Sequence, residues 1–261
     1  MIIDNAYKTH QVFKQLSKYA KFYESLSFSI MHFISQGTKS LINIDTYVYS
    51  SIQGTLESIK DILIQGRIND SYALLRKYYD VVIINIYSDL YLDDHFNLEN
   101  FVVDQINNWL QGKEKLPKYR VMSNYIRASS KLTKINNLIY KDGTYKELRD
   151  RCNDHMHYNF YYNLLLNDND IYLRNRIAIL DKFSKDLENI FILHLSYLFY
   201  LSDHYMMSRD YADSMDCGLT PEEGSQYYVA PFIQEVFDTV IKKNRLDLAT
   251  MIKTKTSMLL E

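Results

Sequence analysis

Arginine and histidine are concentrated in one short part of the chain. Arg149, Arg151, His155 and His157 lie within nine residues of one another, whereas the whole chain holds only seven histidines. A histidine, with an ordinary pKa of about 6.5, can take or give a proton at neutral pH. An arginine can bind a phosphate through two parallel hydrogen bonds and stabilise developing negative charge. The segment therefore holds the residue types of a site that combines proton transfer with phosphate binding.

On a helix, with about 100° of rotation per residue, this segment would present one buried face bordered by two polar stripes. Arg149, Asn153 and His157 form the stripe along one edge of the apolar face. Arg151 and His155 form the other stripe, which we predict to lie on the opposite, more exposed flank. The residues expected on the buried face are Tyr145, Leu148, Cys152, Met156 and Phe160.

Structural roles are the alternative interpretation of these side chains. An arginine beside aspartate and histidine on a helix is often a surface network worth under about 1 kcal/mol. A histidine at the edge of an apolar face is often a core residue. Arg76 and Asp80 have the i, i+4 spacing of a helix-stabilising ion pair. If their helix packs on the motif helix, however, Arg76 would point into the same cleft.

Metal and cofactor sites have little support in the sequence. The two cysteines, Cys152 and Cys217, have no CxxC or Cys/His zinc spacing. Asp203 and His204, with two nearby aspartates, show no recognisable ligand spacing. No GxGxxG or GxxxxGK[ST] motif is present. We therefore expect no metal and no cofactor.

Composition narrows the function classes further. The 30 Lys and Arg residues are balanced by 32 Asp and Glu residues, which argues against a generally basic nucleic-acid surface. The 24 tyrosines have a simple explanation in AT-rich codons, because Asn, Ile and Lys are frequent too. Only Tyr158, Tyr161 and Tyr162, one turn past the histidines, are candidates for stacking on a nucleic-acid base.

Hydrophobic periodicity is helical nearly everywhere, and 7 Gly with 3 Pro are too few for the turns of an all-β protein. We predict an all-α fold: a multi-helix bundle of long helices in residues 1–207, with a C-terminal two-helix appendage, residues 208–261, packed on the same domain. The predicted helices run from about residue 13 to near Gly37, 44 to 64, 69 or 70 onwards, 101 to 110, 118 to 139, 144 onwards, 171 to 207, 220 to 243 and 246 to 259.

Three of these boundaries depend on capping residues. Asn69 or Asp70 would cap the third helix, and Thr144 with Glu147 would form a capping box. Thr220 would cap the helix that begins at Pro221, and Pro231 would kink that helix. The stretch between residues 208 and 219 is acidic and expected to be irregular.

The N-terminus lacks the basic and apolar regions of a signal peptide. The longest apolar runs, such as residues 81–84, are far shorter than the roughly 20 residues that span a bilayer. These features favour a cytoplasmic protein without a membrane segment.

The motif segment resembles the Arg-x(4–6)-His motif of the HEPN superfamily. Two registers fit: Arg149 with His155, and Arg151 with His157, which is preceded by Asn153 and Asp154. The second register departs from the family's pattern in having Cys152 directly after the arginine. Residues 66–76 also resemble the helix that precedes the motif in HEPN-like families of abortive-infection type. The resemblance covers roughly residues 40–205.

The resemblance implies a homodimeric helical bundle with metal-independent endoribonuclease activity, as in a toxin or phage-defence effector with an antitoxin or defence partner. The implied catalytic residues are Arg151, His157, Asn153, Arg149 and His155. Tyr158, Tyr161, Tyr162 and Arg76 would contact RNA. The alternative is a non-catalytic HEPN-like module that binds a partner or a nucleotide.

Overall fold

The described part of the chain is helical. A computed structural model describes residues 3–32, 37–97, 102–168, 170–220 and 228–261. Within these residues there is no β-strand, and Met207 and Val229 form an isolated β-bridge. The predicted fold class, all-α and built from long helices, is confirmed. Among the described residues, no helix is long and apolar enough to cross a lipid bilayer.

The α-helices have the following bounds in chain order: α1 Asn5–Lys8, α2 Gln11–Ser29, α3 Ile44–Ile64, α4 Ile68–His95, α5 Asp104–Leu110, α6 Tyr119–Ala128, α7 Thr133–Ile139, α8 Thr144–Met156, α9 Tyr161–Leu165, α10 Arg176–Leu201, α11 Arg209–Asp216, α12 Pro231–Val236 and α13 Leu246–Lys255. A π-helical turn, Phe237–Lys242, continues α12.

The chain divides into two compact units that alternate along the sequence. Unit 1 consists of Met1–Glu24, Val48–Val82 and Asp142–Phe191. Unit 2 consists of Ser25–Tyr47, Ile83–Lys141 and Ile192–Glu261. The boundaries between the units fall within the four long helices α2, α3, α4 and α10, so each unit contains part of each of these helices. Residues 208–261, predicted as an appendage, belong to unit 2.

The start of α4 is capped from a distant part of the sequence. Helix α3 ends as predicted, and Gly66 follows it with a φ of 78°, a conformation that favours glycine. At the start of α4, the backbone N–H groups of Asn69 and Asp70 donate to Oδ1 of Asn167, at 3.1 and 3.4 Å. The prediction that Asn69 or Asp70 is the cap was therefore wrong, and the Asn69 side chain contacts α8 instead.

Helix α8 begins as predicted but with a different cap. Gly143 is the N-cap, and the carboxylate of Asp142 accepts the backbone N–H of Thr144 at 3.0 Å. Thr144 is the first residue inside the helix, so the predicted capping box with Glu147 is wrong. The helix ends at Met156, with His157 as its C-cap.

Other predicted helices are shorter in the structure. Helix α2 ends at Ser29 because Asn43 holds the backbone of His32 with two hydrogen bonds, at 3.0 and 2.9 Å. The helix predicted for residues 118–139 is interrupted at Ser129, whose backbone is extended. The helix predicted for residues 171–207 runs only from Arg176 to Leu201.

The C-terminal region differs in three respects. Pro231 is the first residue of α12 and does not kink a longer helix, because a proline at this position needs no hydrogen-bond donor. The segment predicted to be irregular contains α11, which Ser208 caps by accepting the N–H of Tyr211. The helix start predicted at Pro221 lies outside the described residues, and α13 ends at Lys255, earlier than predicted.

Buried aromatic residues form much of the core of unit 1. The rings of Tyr19 and Phe191 stack with their centroids 3.8 Å apart, and Tyr23 meets the ring of Phe191 edge-on. The hydroxyls of Tyr23 and Tyr78 are hydrogen bonded at 2.8 Å. Tyr72, Tyr78, Tyr197 and Tyr200 are all buried and belong to the helix packing of their units.

Candidate functional site

Helix α8 packs through the first part of its predicted apolar face. Tyr145, Leu148 and Cys152 are buried, as expected. Met156 and Phe160 are 41% and 60% exposed, because the helix ends at Met156 and the chain turns away. The prediction that these two residues belong to the core is wrong.

Arg151 is held by a buried carboxylate on α10. Its Nε and Nη2 atoms donate to the two carboxylate oxygens of Asp186, at 2.9 and 2.7 Å. The Asp186 side chain is fully buried, whereas that of Arg151 is 27% exposed. Such a bidentate pair fixes the plane of the guanidinium group. Arg151 is therefore oriented rather than mobile.

His155 is buried against α4. Its ring stacks on the ring of Tyr72, with centroids 4.0 Å apart and an angle of 4° between the planes. Its Nδ1 atom is 2.9 Å from Oδ1 of Asn69. Burial lowers the pKa of His155 to about 4, so the imidazole is neutral near pH 7. The prediction that Arg151 and His155 share a more exposed flank is wrong, because α4 and α10 cover that flank.

The hydrogen bond to Asn69 also sets the tautomer of His155. Because a carbonyl oxygen only accepts, Nδ1 must carry the proton of the neutral ring. Nε2 then has a free lone pair and can accept a proton. Asn69 therefore acts on His155 as an orienting residue.

Arg151 and His155 line a common cavity of about 250 Å³. Tyr72, Tyr162 and Lys182 contribute to the same walls. The remaining lining residues are Asn163, Leu166, Ala178 and Ile179. Tyr162 is held in place by its hydroxyl, which donates to Oδ1 of Asn175 at 2.8 Å. The cavity thus combines two cations with a neutral imidazole and two tyrosine rings, a set that suits an anion that also carries a hydroxyl group.

A second polar group of side chains joins α8 to α4. Arg76 is buried, donates from Nε to Oδ1 of Asn153 at 3.1 Å, and forms a salt bridge with Asp80. Burial raises the pKa of Asp80, while the charges of Arg76 and Arg149 oppose that rise. The α4 helix therefore packs on the motif helix at this point. Arg76, Arg149 and Asn153 are not among the residues that line the 250 Å³ cavity.

The remaining predicted site residues lie on the surface after α8. His157 is exposed at the helix C-cap. Tyr158 is 43% exposed and has a φ of 50°, and Tyr161 is 76% exposed. The structure thus brings together Arg151, His155 and Tyr162, and neither predicted arginine–histidine register lines the cavity as a pair.

The sequence did not point to four residues that form or support this cavity: Tyr72 and Lys182 line it, whereas Asn69 and Asp186 hold His155 and Arg151 in place. Asp186 follows Ser184 and Lys185 and precedes Glu188 in α10, so its neighbours in the sequence give no sign of a buried ion pair. Asn69 lies next to Asp70 and was assigned to helix capping. Nothing local in the sequence connects either residue to α8.

Unit 2 contains a polar network of its own. Asn85 donates from Nδ2 to Oδ1 of Asp45 at 2.7 Å and lies 3.4 Å from both carboxylate oxygens of Asp89. His194 contacts Oδ1 of Asn85 through Nε2 at 2.7 Å, and Tyr205 donates to Asp45 at 2.7 Å. Burial lowers the pKa of His194 to about 3. No described residue set in either unit groups three or more His, Cys, Asp or Glu side chains in a way that could hold a metal ion.

Known proteins offer no guide to these sites. Comparison of the chain with protein-family models, with curated proteins and with solved structures finds no match. The geometry of the side chains is therefore the basis for assigning a function.

Proposed function

We propose that this protein is a metal-independent endoribonuclease of HEPN type, with Arg151 and His155 as its catalytic residues. The observation that carries the proposal is that a fixed guanidinium group and a neutral imidazole line one cavity. An arginine that binds the phosphate and a histidine that accepts a proton are the two groups that RNA cleavage by its own 2′-hydroxyl requires.

The proposed reaction is an internal transesterification. Nε2 of His155 accepts the proton of a ribose 2′-hydroxyl, the 2′-oxygen bonds to phosphorus, and the bond between phosphorus and the 5′-oxygen breaks. The leaving 5′-oxygen takes a proton from water, so the products are a 2′,3′-cyclic phosphate and a 5′-hydroxyl. His155 then returns its proton to solvent, and the step balances without a co-reactant.

Binding of the substrate supports the role of His155 as a base. A phosphate that enters the cavity brings negative charge close to the imidazole, and a nearby negative charge raises the pKa of a histidine. Lys182 supplies an ammonium group for the phosphate, and Arg151 can donate to it from Nη1, the nitrogen that does not bond to Asp186. Tyr162 offers a ring for stacking by the adjacent base. The exposed rings of Tyr158 and Tyr161 would extend this stacking surface.

The biological setting that we propose follows the HEPN resemblance. A homodimer acting on RNA in the cytoplasm, with an antitoxin or a defence partner, would restrict growth or phage replication when active. Expression of the wild-type chain is then expected to slow host growth, and expression of a variant without His155 is not.

The direct test uses purified protein and end-labelled RNAs in buffer with EDTA. We expect cleavage products that end in a 2′,3′-cyclic phosphate, and loss of cleavage by at least about 100-fold in His155→Gln, as for removal of a general base. The His155→Gln side chain keeps a similar size and an amide for Asn69, and thermal melting checks its fold. Intact RNA with the wild-type protein across a broad panel would refute the proposal.

His157→Gln is the matched control, because His157 lies two residues away at the exposed helix end. We expect it to retain most activity. Loss of cleavage in His157→Gln, with His155→Gln active, would assign the reaction to the Arg151 and His157 register. The pH profile gives a second criterion: the acid limb of kcat/KM is expected near the His155 pKa of about 4, well below that of an ordinary histidine.

A non-catalytic HEPN-like module is the second candidate function. It is favoured by the bidentate pairing of Arg151 with Asp186, which already neutralises the arginine charge. This candidate predicts binding of a nucleotide or partner with intact RNA, and equal binding by wild-type and His155→Gln proteins.

A further inference from the structure

Unit 2 contains a larger cleft that has no part in the proposed reaction. Its volume is about 400 Å³, within the range of small-molecule sites. The walls combine ammonium groups with an apolar surface: Lys131, Lys134 and Lys255 with Tyr200 and Met251. These residues come from the 3-10 turn Ser130–Leu132, the first turn of α7, the end of α10 and the second half of α13.

Two of the three lysines of this cleft have no ion-pair partner among the described residues. Lys131 is paired with Asp93 and Asp94, with both N–O distances at 2.6 Å. Within the described residues, no carboxylate lies in salt-bridge distance of Lys134 or Lys255, and no acidic residue lines the cleft. Cations gathered around a concave surface attract an anion, because their fields add within it.

The apolar part of the cleft includes an aromatic ring that could contact a flat group of a ligand. Tyr200 is only 8% exposed, yet its ring forms part of the wall. The Lys255 ammonium lies 5.6 Å from the centre of that ring, within the range of a cation–π contact. A ligand that matches the whole cleft therefore carries several negative charges at one end and a flat, largely apolar group at the other.

We propose that this cleft binds a free nucleoside diphosphate or triphosphate. Its phosphates would lie between Lys134 and Lys255, and its base would contact Tyr200 and Met251. The site shares no residue with the Arg151 and His155 cavity, so the proposal is independent of ribonuclease activity.

The test is a calorimetric titration of the purified 261-residue chain with ADP, inorganic pyrophosphate and adenosine, in about 50 mM salt with EDTA, since screening weakens exposed charges. We expect ADP to bind more tightly than either pyrophosphate or adenosine. The double variant Lys134→Glu with Lys255→Glu should weaken ADP binding by at least about tenfold, which corresponds to about 1.4 kcal/mol. Both side chains are exposed, so the fold is expected to tolerate the changes.

Lys253→Glu is the matched control, because Lys253 has the same charge on the same helix and does not line the cleft. We expect ADP affinity within about twofold of wild type. Equal losses in the control and the double variant would overturn the proposal, because binding would then reflect only general charge. Absence of ADP binding at millimolar concentration would overturn it as well.

Two further measurements test the contact between the base and Tyr200 and ask whether the cleft binds RNA instead of a free nucleotide. Tyr200→Leu, with its fold checked by thermal melting, should reduce the preference for ADP over pyrophosphate, because the base loses its aromatic contact. A short single-stranded RNA should bind equally well to wild type and to the double lysine variant. If RNA binding is lost while ADP binding is kept, the cleft belongs to an RNA path and the proposal fails.

Discussion

The two units each contain a buried histidine paired with an asparagine, and the pairs are closely similar at first sight. His155 contacts Oδ1 of Asn69 at 2.9 Å, and His194 contacts Oδ1 of Asn85 at 2.7 Å. Burial lowers the pKa of both histidines, to about 4 and about 3. Neither the hydrogen bond nor the pKa distinguishes a candidate site from an internal contact.

The difference lies in what each pair is connected to. Asn85 continues the network to Asp45, which also accepts from Tyr205, and His194 is fully buried. His155 lines a cavity together with Arg151. A buried histidine is therefore a candidate catalyst only where one of its nitrogen atoms can meet a ligand.

The strongest test of this comparison removes the asparagine from each pair. Asn85→Ala leaves His194 and Asp45 without their shared partner in the core, and we expect a loss of about 3 kcal/mol in the free energy of unfolding. Asn69→Ala leaves a histidine that water can reach through the cavity, so we expect about 1 kcal/mol. Urea denaturation of both variants at pH 7 measures the difference. Equal losses would contradict the distinction.

The acid side of the stability profile probes the two histidines directly. Each has a folded-state pKa below the unfolded value of about 6.5. Their contribution to stability is therefore complete above that pH and is lost as pH falls towards the folded value. The slope approaches about 1.4 kcal/mol per pH unit for each histidine. The measurement is the urea midpoint at several pH values between 6.5 and 4.5. As pH falls over this range, we expect the midpoint of His155→Gln to decrease less than that of wild type.

The alkaline side probes the carboxylates of unit 2. Burial raises the pKa of both Asp45 and Asp89, and for Asp89 the charge of Asp45 adds to the rise. The folded protein thus keeps a proton that the unfolded chain releases near pH 4. That stabilisation is fully present below the unfolded pKa and is lost as pH rises through the folded pKa.

Asp89→Asn replaces the protonated acid with an amide of the same shape. We expect the free energy of unfolding of this variant to exceed that of wild type by about 1 kcal/mol at pH 8 and by less at pH 5. Asp93→Asn, one turn further along α4 and exposed, serves as the control. A gain that does not depend on pH would contradict the retained proton.

The sequence predicts the local parts of this arrangement well and the distant parts poorly. The bounds of α3 and the start of α8 follow from periodicity, and the i, i+4 spacing places Arg151 and His155 on one stripe. Their partners are 35 residues away for Asp186 and 86 for Asn69, so no local pattern connects them. The prediction of an exposed flank was wrong for this reason. Arg151 and His155 are polar, and polar residues on a helix usually face solvent; only the distant residues on α4 and α10 show that this flank is covered.

Lys182→Met is the smallest expected change, and it separates binding from stability most cleanly. Lys182 is exposed on α10 and lines the cavity, so its replacement should alter the free energy of unfolding by less than about 0.5 kcal/mol. If the cavity binds RNA phosphate, affinity for a short RNA should fall several-fold and the slope of log Kd against log salt should decrease by about 0.7, as for one lost contact to a single strand. Lys185→Met, on the same helix and also exposed, should leave that slope unchanged. An unchanged slope in both variants would mean that Lys182 does not meet a phosphate. The cavity would then have a structural role, like the polar network of unit 2, and would not be a phosphate site.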